Sequence, residues 1–407
     1  MVLTILSERR KMNKFTNKFT IDVISNNIFS IGSCFALEIN KFLKKHGIDS
    51  ITNPFGTIYN SYSIYKNIEI ILLSEKNNES ISHNITQVDG KFLSFNYSTL
   101  FESNDYETLE NKLKERINYS KKVLLSSNVI IITFGTSVVY KFKKTDQIVA
   151  NCHKLSDSFF TKYMLTIDEN IDYISKTIEL LKKNIPNIKI ILTLSPIRHN
   201  IKNPEENSVS KAILRVAIDS LIDNKSVFYF NAYEMVMDVF RDYSFYKKDK
   251  THLKKSTVNK IMEEFSNRYF SDKQKEFTNN FIKLKKNRKH KPFNPKDDKY
   301  FDHLKKTFIS LYDLYNIKES IAIEKEIFFI GEKLFYYFVD KEEPLFELFD
   351  KLKRDKLYYY FTTVFNIIRR KELEKVDLNN LNLLNKFNKL DRFNTNIENR
   401  FYLSIRN

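Results

Sequence analysis

The run Val129 to Phe134 (VIIITF) is apolar and stops at Gly135. So short and continuous a run fits a strand buried on both faces, because a half-exposed strand alternates between apolar and polar side chains. The pattern recurs. Ile28 to Ile31 stops at Gly32, Ile188 to Leu194 (IKIILTL) follows Pro186, and Val227 to Phe230 is a fourth run. Between the runs lie amphipathic stretches. Ala36 to His46 (ALEINKFLKKH) has apolar residues at helical spacing, with Gly47 where a helix C-cap belongs, and Asp168 to Lys183 and Thr257 to Tyr269 also read as helices. Buried strands separated by helices predict an α/β fold, a mainly parallel sheet with helices on both faces. Ligands bind such sheets beyond the carboxyl ends of the strands. That rule singles out Gly32 to Phe35, Gly135 to Ser137, Ser195 to His199 and the loop after Phe230.

Six Gly and seven Pro among 407 residues argue against a turn-rich all-β sandwich and for long helices joined by few loops. The length calls for about two domains. After Tyr269 a basic run, Lys283 to Lys291 (KLKKNRKHK), is followed by Pro292 and Pro295, and strand signals then disappear. Lys299 to Phe401 reads as amphipathic helices, Ile327 to Val339 and Pro344 to Leu352 among them, without a fixed repeat period. The expected division is an α/β domain over residues 1–272, a basic linker over 273–298 and an all-α carboxyl-terminal domain over 299–407.

A hydrophobic share of 42 % and a charged share of 29 % suit a folded chain. The net charge of +17 is spread over plain solvated faces and the basic run, which reads first as a solvated linker. Charge and composition alone are a poor case for nucleic acid as a partner, and the carboxyl-terminal helices are the better candidate for docking a protein. Two cysteines cannot build a disulfide framework, so a reducing compartment, the cytoplasm, is the expected address. The opening MVLTILSERRK places its apolar residues before its charges, the reverse of a secretory signal, and no run approaches the roughly 18 apolar residues of a membrane span. A soluble, unprocessed protein is expected.

Asp249 lies three residues before His252, close enough for one loop to hold the imidazole through Nδ1 and leave Nε2 free to take a proton. Taken alone, an Asp and a His three apart are more often just a solvated loop. Cys34, in Gly32-Ser33-Cys34-Phe35-Ala36, falls where a buried strand turns into a helix whose N-terminus favours a thiolate and supplies N–H donors. A small buried Cys at a turn is the structural alternative. His153, Arg198, His199 and Lys211 also fall near predicted strand ends. Arg198 and His199 read either as binders of a negatively charged substrate or as ion-pair partners of Glu234, Asp238 or Asp242. His153, His199 and His252 lack paired ligand spacing, and neither a Walker A sequence nor G-x-G-x-x-G is present, so neither metal nor cofactor is expected.

Eight ordered blocks resemble the signature blocks of the GSCFA family: SIGSCFA from Ser30, NPFGTIYN from Asn53, ITFGTSVVY from Ile132, VANCHK from Val149, SPIRH from Ser195, NSVSKAIL from Asn207, Tyr229 to Tyr246, and Asp249 to His252. The resemblance covers roughly residues 26–270. It implies the SGNH (GDSL-like) hydrolase superfamily, whose members cleave or transfer acyl esters on a flavodoxin-like sheet, and hence an esterase or O-acyltransferase acting on a carbohydrate. Asp249 and His252 match its D-x-x-H block, with His252 the base and Asp249 its orienter. In the nucleophile block Cys34 occupies the serine position and Ser33 the aspartate position. That leaves a thiol nucleophile, attack by Ser33 after a local shift, or lost chemistry; the helix terminus and His252 favour Cys34. Gly56 matches the oxyanion glycine, and Ser137 stands where the family pattern has asparagine. The competing reading is a non-catalytic binding module with a decayed site and a partner-docking helical tail.

Overall fold

The computed structural model describes residues 19–22, 27–73, 85–288 and 297–339. The chain divides into two compact units, Met1–Glu276 and Phe277–Asn407. The first begins with β1 (Ile28–Gly32), α1 (Cys34–Lys45), β2 (Ser50–Thr52) and α2 (Ser61–Leu73). Three short strands, β3 (Thr86–Val88), β4 (Lys91–Leu93) and β5 (Glu102–Ser103), precede α3 (Tyr106–Leu125). Then come β6 (Val129–Phe134), β7 (Val138–Phe142), β8 (Gln147–Val149), β9 (Phe160–Met164) and α4 (Ile167–Asn184). The unit continues with β10 (Lys189–Leu194), α5 (Pro204–Asp219), β11 (Val227–Phe230) and α6 (Lys255–Tyr269), and α7 (Asp272–Asn287) crosses the unit boundary in sequence.

Five parallel strands form the main sheet in the order β11-β10-β6-β1-β2. All four strands and the three helices expected from periodicity are present. Along β6 and β10 the side chains alternate between two cores. Ile130, Ile132, Ile190 and Leu192 pack with Ile64, Leu109, Ile174 and Leu214 from α2 to α5. Val129, Ile131 and Ile191 face the other way, with Ile39 of α1 and Ile261 of α6. Each such burial contributes about 1.5–3 kcal/mol. Because both faces are apolar, polarity within the strands cannot fix their register.

Polar contacts at the carboxyl ends supply that register. Ser30 Oγ and Thr52 Oγ1 lie 2.5 Å apart, the Gly32 N–H donates to Asn53 Oδ1 at 2.7 Å, and the Ser33 N–H donates to the Thr133 carbonyl at 2.9 Å. The chain must pass very close to β6 to make the last of these. Gly32 has φ +134°, and a Cβ there would lie 2.0 Å from the Thr133 carbonyl oxygen. Only glycine fits both the conformation and the gap.

Two small antiparallel sheets, β3-β4-β5 and β8-β7-β9, were not expected. Their strands are short and carry mixed exposure, such as exposed Tyr140 beside buried Val139, so they lack the continuous apolar signal. In the second unit α8 (Asp298–Ile317) and α9 (Ile321–Val339) pack through Phe308, Leu311, Ile323 and Ile330. The nearly buried Glu326 carboxylate receives Lys285 at 3.2 Å and Arg288 at 3.5 Å. The stretch read as a linker is helical over Asp272–Asn287. The expected helix Pro344 to Leu352 lies outside the described residues. No described helix is long and apolar enough to cross a membrane.

Gly32→Ala should destabilise the protein by about 2 kcal/mol or more, since the strain cannot relax without moving β1 off β6. A urea unfolding midpoint well below wild type checks this.

Candidate functional site

The strand order, numbered along the chain, is 2-1-3-4-5, so it reverses between β1 and β6. A crevice opens at the carboxyl ends of strands on either side of such a reversal. Here it is a cleft of about 610 Å³. Ser33, Cys34, Tyr59, Asn60, Gly135 and Thr136 line it at the reversal, and Ser195 and Ile197 to Asn200 after β10, Thr251 and His252 line it further along. The antiparallel β8-β7-β9 sheet supplies Val138, Tyr140, Val149 and Lys162.

Ser33 and Cys34 have separate situations. Ser33 is buried and caps α1, its hydroxyl accepting the Phe35 N–H at 3.3 Å. Cys34 is the first residue of α1 and only partly buried. Its sulfur lies 3.5 Å from the Tyr59 hydroxyl. Burial, then the neighbouring Cys34, pushes the Tyr59 hydroxyl above its usual range, so it stays protonated and able to donate. The Tyr59 carbonyl accepts the N–H groups of Gly135 at 2.7 Å and Thr136 at 3.1 Å, which joins the loop after β2 to the end of β6. The sequence reading overlooked Tyr59 although it stands in NPFGTIYN; nothing in a single sequence distinguishes it from a core aromatic.

The Asp249–His252 pairing is present. His252 Nδ1 lies 2.8 Å from Asp249 Oδ2, and Asp249 Oδ1 accepts the N–H groups of His252 at 2.9 Å and Thr251 at 3.0 Å. Those backbone donors, followed by the ring, hold the Asp249 carboxyl down at about 2. The carboxylate is therefore charged at any pH where imidazole titrates, and Nε2 is left as the outward ring nitrogen. His252 and Cys34 line the same cleft without a direct hydrogen bond between them.

Other expected positions fall differently. Gly56 is absent from the cleft lining; it has φ +94°, and a Cβ there would lie 2.3 Å from Ser98 Oγ, so close packing accounts for it. Ser137 is fully buried, donating its hydroxyl to the Ser210 carbonyl at 3.0 Å. His153 is also outside the lining, with Nδ1 2.7 Å from Glu102 Oε1 and Nε2 3.0 Å from the Ser94 carbonyl. Asn60, not singled out in sequence, does line the cleft. Its Oδ1 accepts the Ser63 N–H at 2.8 Å, which turns its amide NH2 away as the donor end.

Arg198 and His199 both reach the cleft. Neither pairs with Glu234, which is held by Arg215 at 2.8 Å. Burial, then the nearby Lys211 amine, pushes His199 below its usual range. Lys211 is itself fully buried and donates to the Ser195 carbonyl at 2.7 Å, anchoring the loop that carries Arg198 and His199. Among the described residues no His, Cys, Asp and Glu cluster could hold a metal ion.

Burial lowers Lys211 to about 7, whereas an unfolded lysine stays charged to about 10.4. Unfolding therefore takes up a proton between those values, and stability rises with pH across that window. Comparing urea midpoints at pH 7 and pH 9, wild type should gain stability relative to Lys211→Met.

No curated protein matches the chain significantly. The sequence profile of the GSCFA family matches residues 27–265, from the start of β1 through most of α6, and so includes every residue of the cleft. With more than half of its length matched, the chain belongs to the GSCFA family.

Proposed function

We propose that the chain is an acyl-ester hydrolase or O-acyltransferase acting on a carbohydrate ester, with Cys34, His252 and Asp249 as a covalent triad on an SGNH-type, flavodoxin-like sheet. The observation that carries this reading is a thiol at a helix N-terminus sharing one cleft with an imidazole whose Nδ1 is held by a carboxylate. The strand order 2-1-3-4-5 supports the fold placement, being the order of flavodoxin-like sheets. Ser33 is the weaker nucleophile because its hydroxyl is buried and engaged as a cap.

In this mechanism His252 Nε2 takes the Cys34 proton and the sulfur attacks the ester carbonyl carbon. As the carbon–oxygen bond to the sugar breaks, the imidazolium returns the proton to the leaving hydroxyl. Water or a second hydroxyl then attacks the thioester, giving a carboxylic acid or a new ester and restoring the thiol. The developing oxyanion is met by the Cys34 N–H at the open end of α1 and by the Asn60 amide. Asn60 thus takes the part that family resemblance gave to Gly56 and Ser137. The cysteine usage fits a cytoplasmic enzyme, which suits building a glycan better than degrading one. The second, helical unit is assigned to partner docking.

A second reading, a binding module with a decayed site, is favoured by the departure of Gly56 and Ser137 from the cleft and by the open gap between Cys34 and His252. Peptide-mapped mass spectrometry after incubation with an activated acetyl ester separates the two. A triad gives an acetyl adduct on Cys34, or released acetate, both lost in His252→Ala; a binding module gives neither.

Iodoacetamide supplies an independent check. Burial, then Asp157, pushes the Cys152 thiol up to about 11, so at pH 7 Cys34 should alkylate at least about ten times faster than Cys152. Asp249→Asn should slow the Cys34 reaction and leave that of Cys152 unchanged.

A further inference from the structure

Among the described residues, the charges that line the cleft are not all paired. Lys162 and Glu206 pair with each other, and Asn200 adds a hydrogen bond to Glu206 at 3.2 Å. Asp249 is committed to His252. Arg198 forms no ion pair among the described residues. Its guanidinium lies 5.4 Å from the ring centre of Tyr243 and 5.1 Å from that of Tyr246, and it donates to the Tyr243 hydroxyl at 3.2 Å. Lys250, 5.3 Å from the Tyr243 ring, adds a second positive charge nearby. The two rings fix the plane of the guanidinium, while most of its five N–H donors remain uncommitted. A flat fork held in place beforehand, with no ion pair among the described residues, is the usual equipment for bidentate capture of an oxyanion.

The neighbouring residue supports the same reading. His199 lines the cleft with 15 % of its side chain exposed, and both ring nitrogens are buried without a hydrogen-bond partner. Glu206 Oε1, at 3.6 Å from Nε2, is too distant for a hydrogen bond. A buried imidazole without a short hydrogen bond costs free energy, part of which a ligand oxygen accepting its N–H can recover. Lys211, by fixing the Ser195 carbonyl, holds the start of the loop that presents the two side chains together.

We infer that Arg198, assisted by His199, forms a subsite for an anionic group, so that the ester bound in this cleft carries a carboxylate or a phosphate. This rests on the acyl-transfer reading for the ester and on Arg198 for the charge. A carboxylate and a phosphate each offer two acceptor oxygens to one guanidinium fork, and affinity distinguishes the two sources.

The test measures binding by calorimetry to Cys34→Ala, using three probes: an O-acetyl hexose, an O-acetyl uronate and an O-acetyl hexose phosphate. At least one charged ester should bind about ten-fold or more tightly than the uncharged one, and the tighter of the two names the source. That advantage should vanish in Cys34→Ala/Arg198→Gln and persist in part in Cys34→Ala/Arg198→Lys, which keeps the charge and loses the fork. Equal binding of all three esters to Cys34→Ala, or an advantage unchanged in the Arg198→Gln variant, overturns the inference. The first comparison leaves Arg198 in place, so it stands even if an Arg198 variant misfolds. Acetate release by wild-type protein from the same esters reports the acyl-transfer reading separately.

Discussion

The structure depends on the close approach of β1 to β6 at Gly32. The sheet reverses its order between these strands, and the Ser33 N–H reaches the Thr133 carbonyl only because residue 32 has no side chain to keep the two backbones apart. That contact sets where α1 begins, since Ser33 is its cap and Cys34 its first residue. Asn53, accepting the Gly32 N–H, ties the end of β2 to the same point. The thiol therefore sits on three strand ends and a helix terminus, the kind of rigid base that the proposed nucleophile would need.

Other parts of the cleft lining are built differently. His252 and Asp249 belong to a partly exposed loop held by its own backbone N–H groups, and Arg198 and His199 to a loop pinned by a buried amine. For the proposed triad, the lack of a Cys34–His252 hydrogen bond fits this contrast, since catalytic hydrogen bonds often tighten only around bound substrate. The anionic subsite on Arg198 would bring substrate charge to the loop-built side.

Much of this was legible in the residues themselves. The VIIITF run, the helix from Ala36 and the Asp249–His252 spacing encode local geometry, and apolar continuity, 3.6-residue periodicity and a three-residue loop reach are enough to read it. The antiparallel β8-β7-β9 sheet was not legible, because its strands are half exposed and its pairing joins residues as far apart as Val138 and Met164. For the same reason Gly56 and Ser137 were expected in the cleft and Asn60 and Tyr59 were not. Which side of a turn faces the cleft depends on which neighbour the backbone packs against.

The sequence by itself determined the α/β class, the four main strands, the family and the pairing of Asp249 with His252, since each follows from residues close together in the chain or from motif order. Only the tertiary structure decided that Ser33 is a cap and Cys34 faces the cleft, that His153 is held by Glu102, and that Arg198 packs against Tyr243 and Tyr246 without an ion pair among the described residues. Those outcomes depend on contacts between segments tens of residues apart, where burial and the available partner, not the residue type, fix what a side chain can do.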